Sequence, residues 1–215
     1  MSQLNLWKKH LGSIPEHVWQ QPDLETLILA DNDLSEISAK IGNLKKLRTL
    51  DLGHNRLANL PETLGNIVGL SDFLYLHDNR LTSLPSSLAK LTNLRYLNIS
   101  ENAFTLLPEC VSHLSGLVEL RATDNPLTAL PDSIGDLSNL RELHLRNNQL
   151  TTLPGSVGKL HELRQIDLRG NPLKSLPASL AGLPRLEKLD LRWVTTLDVP
   201  AWIEDLKARG CLVYA

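Results

Sequence analysis

The chain has 215 residues, of which 42% are hydrophobic and 21% charged, and its formal net charge is −2. This balance provides no basic field for nucleic acid or anionic lipid, and no segment approaches the ~20 apolar residues that span a bilayer. Cys110 and Cys211 are too few and too far apart for a disulfide framework or a zinc site, so we expect both to pack as small apolar side chains. We therefore predict no nucleic-acid partner, no membrane insertion, no metal and no cofactor.

A repeat of 23 residues runs through the chain. Its clearest copy, residues 140–154, places leucines at fixed positions on both sides of an asparagine. Such a unit is too small to bury an apolar face alone, so stacked neighbours must share one core. The repeated asparagines, with one interval of 24, are Asn32, Asn55, Asn79, Asn102, Asn125, Asn148 and Asn171.

Each unit changes its period midway. Leu143 and Leu145 alternate as in a strand, whereas Leu153, Val157 and Leu160 step by three or four, as in a helical or 3₁₀ segment. Successive strands re-enter after a crossover and must pair in parallel. We predict an α/β repeat solenoid, a curved arc with about ten short parallel strands on its concave face and helical or 3₁₀ arms on its convex face. Strands should start near residues 4, 27, 50, 74, 97, 120, 143, 166, 189 and 212.

Residues 1–23 are predicted to form an N-terminal capping repeat. Leu4, Leu6 and Leu11 keep the phase of the later units, while Lys9 occupies the asparagine position, as suits the polar end of a stack. The first ten residues lack the apolar run of a signal peptide, so we expect a cytoplasmic protein.

Residues 24–193 are the regular repeats. The asparagine side chain both donates and accepts, and a ladder of such side chains should pair the backbone groups exposed where each strand ends. Prolines such as Pro61 fix φ and should open each return arm at the first helical position. Ser38 replaces this proline in the second unit, where we expect a looser entry.

The single 24-residue interval lies between Asn55 and Asn79. Leu70 and Leu74 are separated there by three residues instead of two, so one residue must bulge. Bulges often lie beside functional sites, and a neutral insertion is the alternative.

Residues 194–215 are predicted to form a C-terminal cap. Asp198–Gly210 has a capping aspartate, early acids, late bases and a stop glycine, which predicts a helix, and a last strand should follow at Leu212, 23 residues after Leu189. The whole of 1–215 is then one domain. Because both ends should be covered, we expect a monomer. The large rings favoured as covers are Trp7, Trp19, Trp193 and Trp202, with projection of Trp7 and Trp193 from the concave face as the alternative.

The unit Leu-x-x-Leu-x-Leu-x-x-Asn-x-Leu-x-x-Leu-Pro resembles that of leucine-rich repeat proteins. Its 23-residue period with Leu-Pro is similar to the intracellular class found in Ras-suppressor-type and plant Ras-group-related proteins. The resemblance covers essentially the whole chain. It implies protein recognition, in the regulation of signalling components such as small GTPases, kinases or phosphatases.

Function should reside in the variable residues that point out of the strands on the concave face. Phe73, Tyr75 and Tyr96 gather on adjacent strands, and basic and acidic residues alternate further along the chain. Aromatic and arginine side chains dominate binding hot spots, although the wet face of a sheet also tolerates them without function. The predicted partner-binding residues are Phe73, Tyr75, His77, Tyr96, Arg121, His144, Arg146, Arg169 and Arg192.

The position before each asparagine is mostly acidic in the first half of the chain. Parallel strands place such side chains about 4.8 Å apart, so this rim is either a site for a basic segment or a hard cation, or a solvated charged edge. Its residues are Asp31, His54, Asp78, Glu101 and Asp124.

Catalysis has little support in the sequence. His77, Asp78 and Ser100 are neighbours in register, but a hydrolase needs these groups to converge beside oxyanion donors, and no catalytic or phosphate-loop motif is present. We predict a non-enzymatic module that binds another protein as an adaptor, inhibitor or scaffold. The alternatives are an exported bacterial binder of host proteins and an unrecognised hydrolase.

Overall fold

The structure is a computed structural model that describes residues 2–215. Short strands and 3₁₀ turns alternate along the chain, and the strands form one parallel sheet in sequence order from β1 to β10. This confirms the predicted open arc with its sheet on the concave face. The strands are β1 Gln3–Asn5, β2 Thr26–Ile28, β3 Thr49–Asp51, β4 Phe73–Tyr75, β5 Tyr96–Asn98, β6 Glu119–Arg121, β7 Glu142–His144, β8 Gln165–Asp167, β9 Lys188–Asp190 and β10 Leu212–Tyr214.

The convex arms are five-residue 3₁₀ turns. One α-helix, α1, spans Ile203–Ala208 and is packed beside the last strand. The 3₁₀ turns are Glu16–Gln20, Ala39–Asn43, Glu62–Asn66, Ser86–Lys90, Glu109–His113, Asp132–Asp136, Gly155–Lys159 and Ala178–Gly182.

The core lies between the sheet and the arms. In each inner strand the central residue is buried and its two neighbours face outward, as in Phe73, Leu74 and Tyr75. Each fully buried leucine contributes roughly 1.5–3 kcal/mol, so dozens of repeated contacts hold the stack together. Phe104 replaces a consensus leucine and is fully buried.

The two cysteines lie in this apolar interior. Cys110 and Cys211 are both free and buried. Burial raises the pKa of the Cys110 thiol to about 11. Both side chains therefore pack as neutral thiols at neutral pH.

The repeated asparagines join neighbouring units through their side chains. The Asn55 amide donates to the carbonyls of Leu29, Leu52 and Gly53 at 3.0–3.1 Å, and its Oδ1 accepts from the backbone N–H of Asn32 and Leu34. One side chain therefore satisfies backbone groups of two successive units. The same donor and acceptor pattern recurs at Asn79, Asn102, Asn125, Asn148 and Asn171.

The prolines cap the arms and do not occupy the first helical position. Pro61 keeps an extended ψ of 144°, and its carbonyl accepts from Leu64 N. The looser entry expected at Ser38 is wrong, because Ser38 has the same backbone angles as Pro15. Its hydroxyl also accepts from Lys40 N at 3.2 Å, which compensates for the absent proline ring.

The arms pack most closely beside Gly65. A Cβ added there would lie 2.1 Å from the Ser87 carbonyl oxygen, whereas one added at Gly182 would meet nothing within 4 Å. We expect Gly65→Ala to lower the free energy of unfolding by about 1–3 kcal/mol through overpacking. Gly182→Ala, the matched control, should be neutral or slightly stabilising. Urea denaturation of both variants checks this, and equal midpoints would contradict the close approach.

The predicted bulge is present and lies just before β4. In the regular units the carbonyl of the residue before each strand accepts from the next unit, as the Arg48 carbonyl does from Asp72 N. Arg95 N instead donates to the Ser71 carbonyl and bypasses Asp72, the residue before β4, so one residue is left out of the pattern there. The strand itself keeps its register, with Phe73 opposite Tyr96, so the aromatic side chains stay on the concave face.

The C-terminal helix is shorter than predicted. It begins at Ile203, and Trp202 rather than Asp198 occupies the cap position, with no side-chain hydrogen bond. Pro200 explains the difference, because a proline disfavours helical geometry at the preceding residue, Val199. Gly210, with φ of +90°, follows the end of the helix as expected.

The last strand is shifted by one residue from its expected register. Leu189 pairs with Val213, not with Leu212. Val213 is consequently packed against the core, while Leu212 and Tyr214 are exposed on the concave side. The 23-residue period ends before this strand because the α1 connection sets the spacing.

The tryptophans divide into two pairs. Trp19 and Trp202 pack against the core at the two ends, as predicted. Trp7 and Trp193 are 56% and 67% exposed, so the expectation that they cover the terminal layers is wrong. Among residues 2–215, no helix has the length and apolarity needed to cross a membrane.

Candidate functional site

Three aromatic rings form one cluster on the concave face. Phe73 and Tyr75 are the outward residues of β4, and Tyr96 is the first residue of β5. The Phe73 centroid lies 5.8 Å from that of Tyr75 and 5.4 Å from that of Tyr96, and the two tyrosine centroids are 5.1 Å apart. Contacts of this kind contribute about 0.5–1.5 kcal/mol each beyond burial. We call Phe73, Tyr75 and Tyr96 the aromatic cluster.

A shallow groove borders the aromatic cluster. It has a volume of about 350 Å³, and Phe73 and Tyr96 form part of its wall. Its remaining lining residues are Asp72, Arg95, Val118 and Glu119. Phe73 is 42% exposed, so the cluster offers apolar area that a partner can bury.

Asp72, at the bulge before β4, holds the edge of this groove in place. Asp72 accepts hydrogen bonds from Arg48 at 3.2 Å and from the Ser71 hydroxyl at 3.0 Å. The bulge is thus tied to the preceding unit, directly beside the ring of Phe73.

Both tyrosines remain uncharged over a wide pH range. Burial raises the pKa of the Tyr96 phenol to about 12 and also raises the pKa of Tyr75. The positive charge of Arg121 opposes both shifts. The two hydroxyl groups are therefore neutral hydrogen-bond donors at neutral pH.

The predicted basic residues lie on the same face, further along the arc, and each is paired with a carboxylate. The arginines present local ion pairs instead of free positive charge, and the His144 imidazole hydrogen-bonds to Glu142, which limits their use as anchors for an acidic partner. The pairs are Arg121 with Glu119 at 2.5 Å, His144 with Glu142 at 3.1 Å, Arg146 with Asp124 at 3.0 Å, Arg169 with Asp167 at 2.6 Å and Arg192 with Asp190 at 2.8 Å.

Three of these side chains have the composition of a metal site. The ligand atoms of Glu119, Glu142 and His144 lie within 4.8 Å of one another. The Arg121 guanidinium, however, donates to Glu119 at 2.5 Å. A cation there would have to displace this arginine from the carboxylate, so the arrangement favours the ion pair.

Asp190 is the most buried acid of the charged surface. Burial alone would raise the pKa of its carboxyl, but hydrogen bonds from Arg192 and the charges of Arg169 and Arg192 outweigh burial and hold the pKa below its ordinary value. The ionised carboxylate is therefore stabilised by folding.

This pairing predicts a pH-dependent effect of Asp190→Asn. At pH 7 the variant should lose about 1.5–3 kcal/mol of unfolding free energy, the range for hydrogen bonds to charged groups. Because the folded-state pKa lies below the ordinary value of 3.8, wild type holds this advantage fully above that pH and loses it as the pH falls through the folded-state pKa. Urea titrations from pH 7 to pH 2 measure the difference. A difference that stays constant below pH 4 would contradict the pairing.

The acidic rim has a backbone explanation. Asp31, His54, Asp78, Glu101 and Asp124 all have φ between 51° and 59°, the left-handed region. Short polar side chains and glycine tolerate this conformation best. The corresponding positions of the next two units, Asn147 and Gly170, also have positive φ. An asparagine and a glycine at these positions were the sequence signal for a left-handed residue before each asparagine. The charge of the rim is thus partly a by-product of turn geometry.

His77 connects the aromatic cluster to this rim. Its ring centroid lies 6.1 Å from that of Tyr75 and 4.7 Å from that of His54. Burial, and then the neighbouring His54, lower the pKa of His77. The lowered pKa favours the neutral form of the His77 imidazole at neutral pH.

A second exposed aromatic group lies near the C-terminal end of the sheet. The sequence offered exposure of Trp193 as an alternative, and it gave no indication of Tyr214 beside it. The Trp193 ring lies 5.8 Å from the Arg169 guanidinium and 5.9 Å from that of Arg192, and Tyr214 lies 5.3 Å from Arg192. Trp193 adopts φ of 64°, which is unusual for a bulky residue. The shifted register of β10 hid the position of Tyr214.

The hydrolase alternative is not favoured by the geometry. Ser100 is 5% exposed, and its hydroxyl accepts from Thr123 N at 3.2 Å. The side chains of His77 and Asp78 both hydrogen-bond to the His54 imidazole and not to the Ser100 hydroxyl. Within residues 2–215, no hydrogen bond joins Ser100 to His77.

An open, ten-stranded parallel sheet backed by 3₁₀ arms and bridged by asparagines defines a leucine-rich solenoid. The family model of the leucine-rich repeat region matches residues 5–122 and 132–209. The chain belongs to the leucine-rich repeat family.

Curated relatives match short parts of much larger proteins. The volume-regulated anion channel subunit LRRC8A of Rattus norvegicus is 38% identical over 98 residues, which are 45% of this chain and 12% of the channel subunit. The adenylate cyclase of Schizosaccharomyces pombe is 34% identical over 101 residues, 46% of this chain and 6% of the cyclase. The chain therefore spans a small fraction of the length of these relatives.

Solved structures match over nearly the full chain. A leucine-rich repeat protein of Leptospira interrogans has a TM-score of 0.77 and 26% identity, covering 99% of this chain and 65% of its own. The plant peptide hormone receptor RGFR1, solved in complex with RGF2, has a TM-score of 0.80 and 31% identity, covering 98% of this chain and 34% of its own.

Proposed function

We propose that this chain is a non-enzymatic recognition module that binds another protein on its concave face, centred on the aromatic cluster. One observation carries the proposal. Phe73, Tyr75 and Tyr96 form a contiguous, partly exposed aromatic surface beside an apolar groove, in a chain with only nine aromatic residues among Phe, Trp and Tyr. Such surfaces are enriched in binding hot spots.

The similar receptor RGFR1 supports the use of such a solenoid for ligand binding, because it was solved in complex with RGF2. The charged surface next to the cluster adds specificity in this proposal. A partner must match its alternating ion pairs or break them at a cost in desolvation.

The size of the sheet limits the area that a partner can bury on the strand face. Ten strands spaced by about 4.8 Å span roughly 43 Å, and a strip two or three side chains wide gives on the order of 500–700 Å². A standard interface buries about 800 Å² per partner. The partner should therefore also contact the loops after the asparagines, which carry the exposed Arg56 and Arg80.

The predictions about oligomeric state, location, repeat class and role form part of this proposal. We propose a monomeric, cytoplasmic protein of the intracellular 23-residue class, which acts in signalling as an adaptor, inhibitor or scaffold and binds neither nucleic acid nor membrane. An exported bacterial binder of host proteins would use the same concave surface. Light scattering tests the monomer, and an assay for turnover abolished by Ser100→Ala tests the enzyme alternative.

Affinity capture tests the binding proposal. Lysate proteins are captured with wild type, with a Phe73→Ala/Tyr96→Ala variant, and with a Val68→Ala/Leu106→Ala control that removes exposed apolar side chains elsewhere. Quantitative mass spectrometry should show a partner enriched on wild type and on the control but depleted on the aromatic variant. A partner depleted only on the Val68/Leu106 control would place the site elsewhere.

A further inference from the structure

His54 and His77 face each other beside the aromatic cluster. Their Nε2 atoms are 3.2 Å apart, and their ring planes are inclined by 81°. Two imidazoles that bind one tetrahedral zinc ion, with Zn–N bonds of ~2.0–2.1 Å, need an N–N separation of about 3.3–3.4 Å. The histidine pair therefore has nearly the spacing of two ligands to a single metal ion.

The carboxylate of Asp78 orients the first imidazole. Its Oδ2 lies 2.6 Å from His54 Nδ1. An ionised carboxylate only accepts hydrogen bonds, so it holds the proton on Nδ1 and leaves the lone pair on Nε2, the atom that faces His77. A carboxylate that accepts from the second nitrogen of a histidine is the usual support of a metal-binding imidazole.

The backbone of Gly53 positions the second imidazole. A Cβ at residue 53 would lie 2.4 Å from His77 Cε1 and 2.8 Å from His77 Nδ1, so the ring occupies space that only glycine leaves open. His77 Nδ1 is buried there without a hydrogen-bond partner. The outward nitrogen, Nε2, is the one open to a ligand. In the free protein it donates to His54 Nε2 at 3.2 Å, and a metal ion bound there would take the place of this proton, which moves to Nδ1.

The carboxylates around the pair favour a cation. Burial and the neighbouring His54 lower the pKa of His77, and Asp51, Asp78 and Glu101 oppose that shift by stabilising positive charge at the ring. Arg56, the nearby basic residue on the rim, is itself paired with Asp33 at 2.6 Å. This differs from the Glu119, Glu142 and His144 cluster, where Arg121 already occupies a carboxylate.

We propose that His54 and His77 form a two-histidine site for a divalent transition metal, with Zn²⁺ as the reference ion. Imidazole suits zinc, copper and nickel. Water molecules fill the remaining coordination positions of the metal ion when no partner protein is bound, since both rings lie at the protein surface. The site is independent of the partner proposed above, because the two imidazoles belong to this chain.

Calorimetric titration with zinc chloride tests the site. The full chain is used after removal of any affinity tag, near pH 7.5. Wild type should bind one Zn²⁺, and His54→Gln and His77→Gln should each weaken binding at least about tenfold. Gly53→Ala keeps both imidazoles but displaces His77, and it should weaken binding as well. Circular dichroism verifies that each variant is folded.

His144→Gln is the matched control, since it removes a histidine from the competing cluster on the same face. It should retain wild-type affinity. Absence of zinc binding by wild type at millimolar concentration would overturn the proposal. Affinity unchanged in His54→Gln, His77→Gln or Gly53→Ala, or lost in His144→Gln, would overturn it as well.

Discussion

Replacing Asn125 with alanine should lower the free energy of unfolding by at least about 2 kcal/mol, because buried backbone groups lose their partners at about 1–3 kcal/mol each. Its Oδ1 accepts from the buried Phe104 N, and its amide donates to the carbonyls of Ile99 and Thr123. Alanine leaves no atom that can replace these hydrogen bonds. The loss falls between two units, where neighbour contacts supply the stability of a repeat array.

The denaturant midpoint measures this effect, and the native far-UV spectrum should be unchanged. Asn102→Ala should behave in the same way with a smaller loss, since Asn102 is only half-buried and water can reach its partners. Asn93→Ala, in an exposed position outside the ladder, is the matched control and should leave the midpoint unchanged. Equal midpoints for Asn125→Ala and Asn93→Ala would rule out the ladder as a source of stability.

Replacing Tyr75 and Tyr96 together with alanine should weaken binding of the captured partner at least tenfold, about 1.4 kcal/mol. The two rings are in contact with each other and with Phe73, so the variant removes most of the aromatic cluster. Both side chains are only partly buried, so the thermal midpoint should change little.

Titration calorimetry of the purified complex measures this loss. Arg169→Ala is an informative comparison, because Arg169 is held by Asp167 and Asp190 and should contribute less to binding. Lys174→Ala, on the exposed loop before an arm, should have no effect. A silent tyrosine pair combined with a large loss from Lys174→Ala would move the interface away from the concave face.

The period of the sequence was sufficient to predict most of the fold. The repeat phase placed all ten strands within one residue of their start, and parallel pairing follows from the crossover between units. The aromatic cluster was predictable for the same reason, because register alone places Phe73 opposite Tyr96.

Features outside the repeat were harder to predict. Pro200 shortens the last helix, and the register of β10 depends on how that helix packs, which the repeat does not encode. The His54 and His77 contact joins two different columns of neighbouring units. It depends on a left-handed residue at 54 and on the missing side chain at Gly53, and neither is visible as a leucine pattern.

Site-specific photo-cross-linking tests the central claim most directly. A benzophenone amino acid is placed at Phe73 in one protein and at Val68, an exposed apolar residue near an arm, in another. We expect the captured partner to cross-link through position 73 and not through position 68. Cross-linking through position 68 alone would contradict recognition by the concave face.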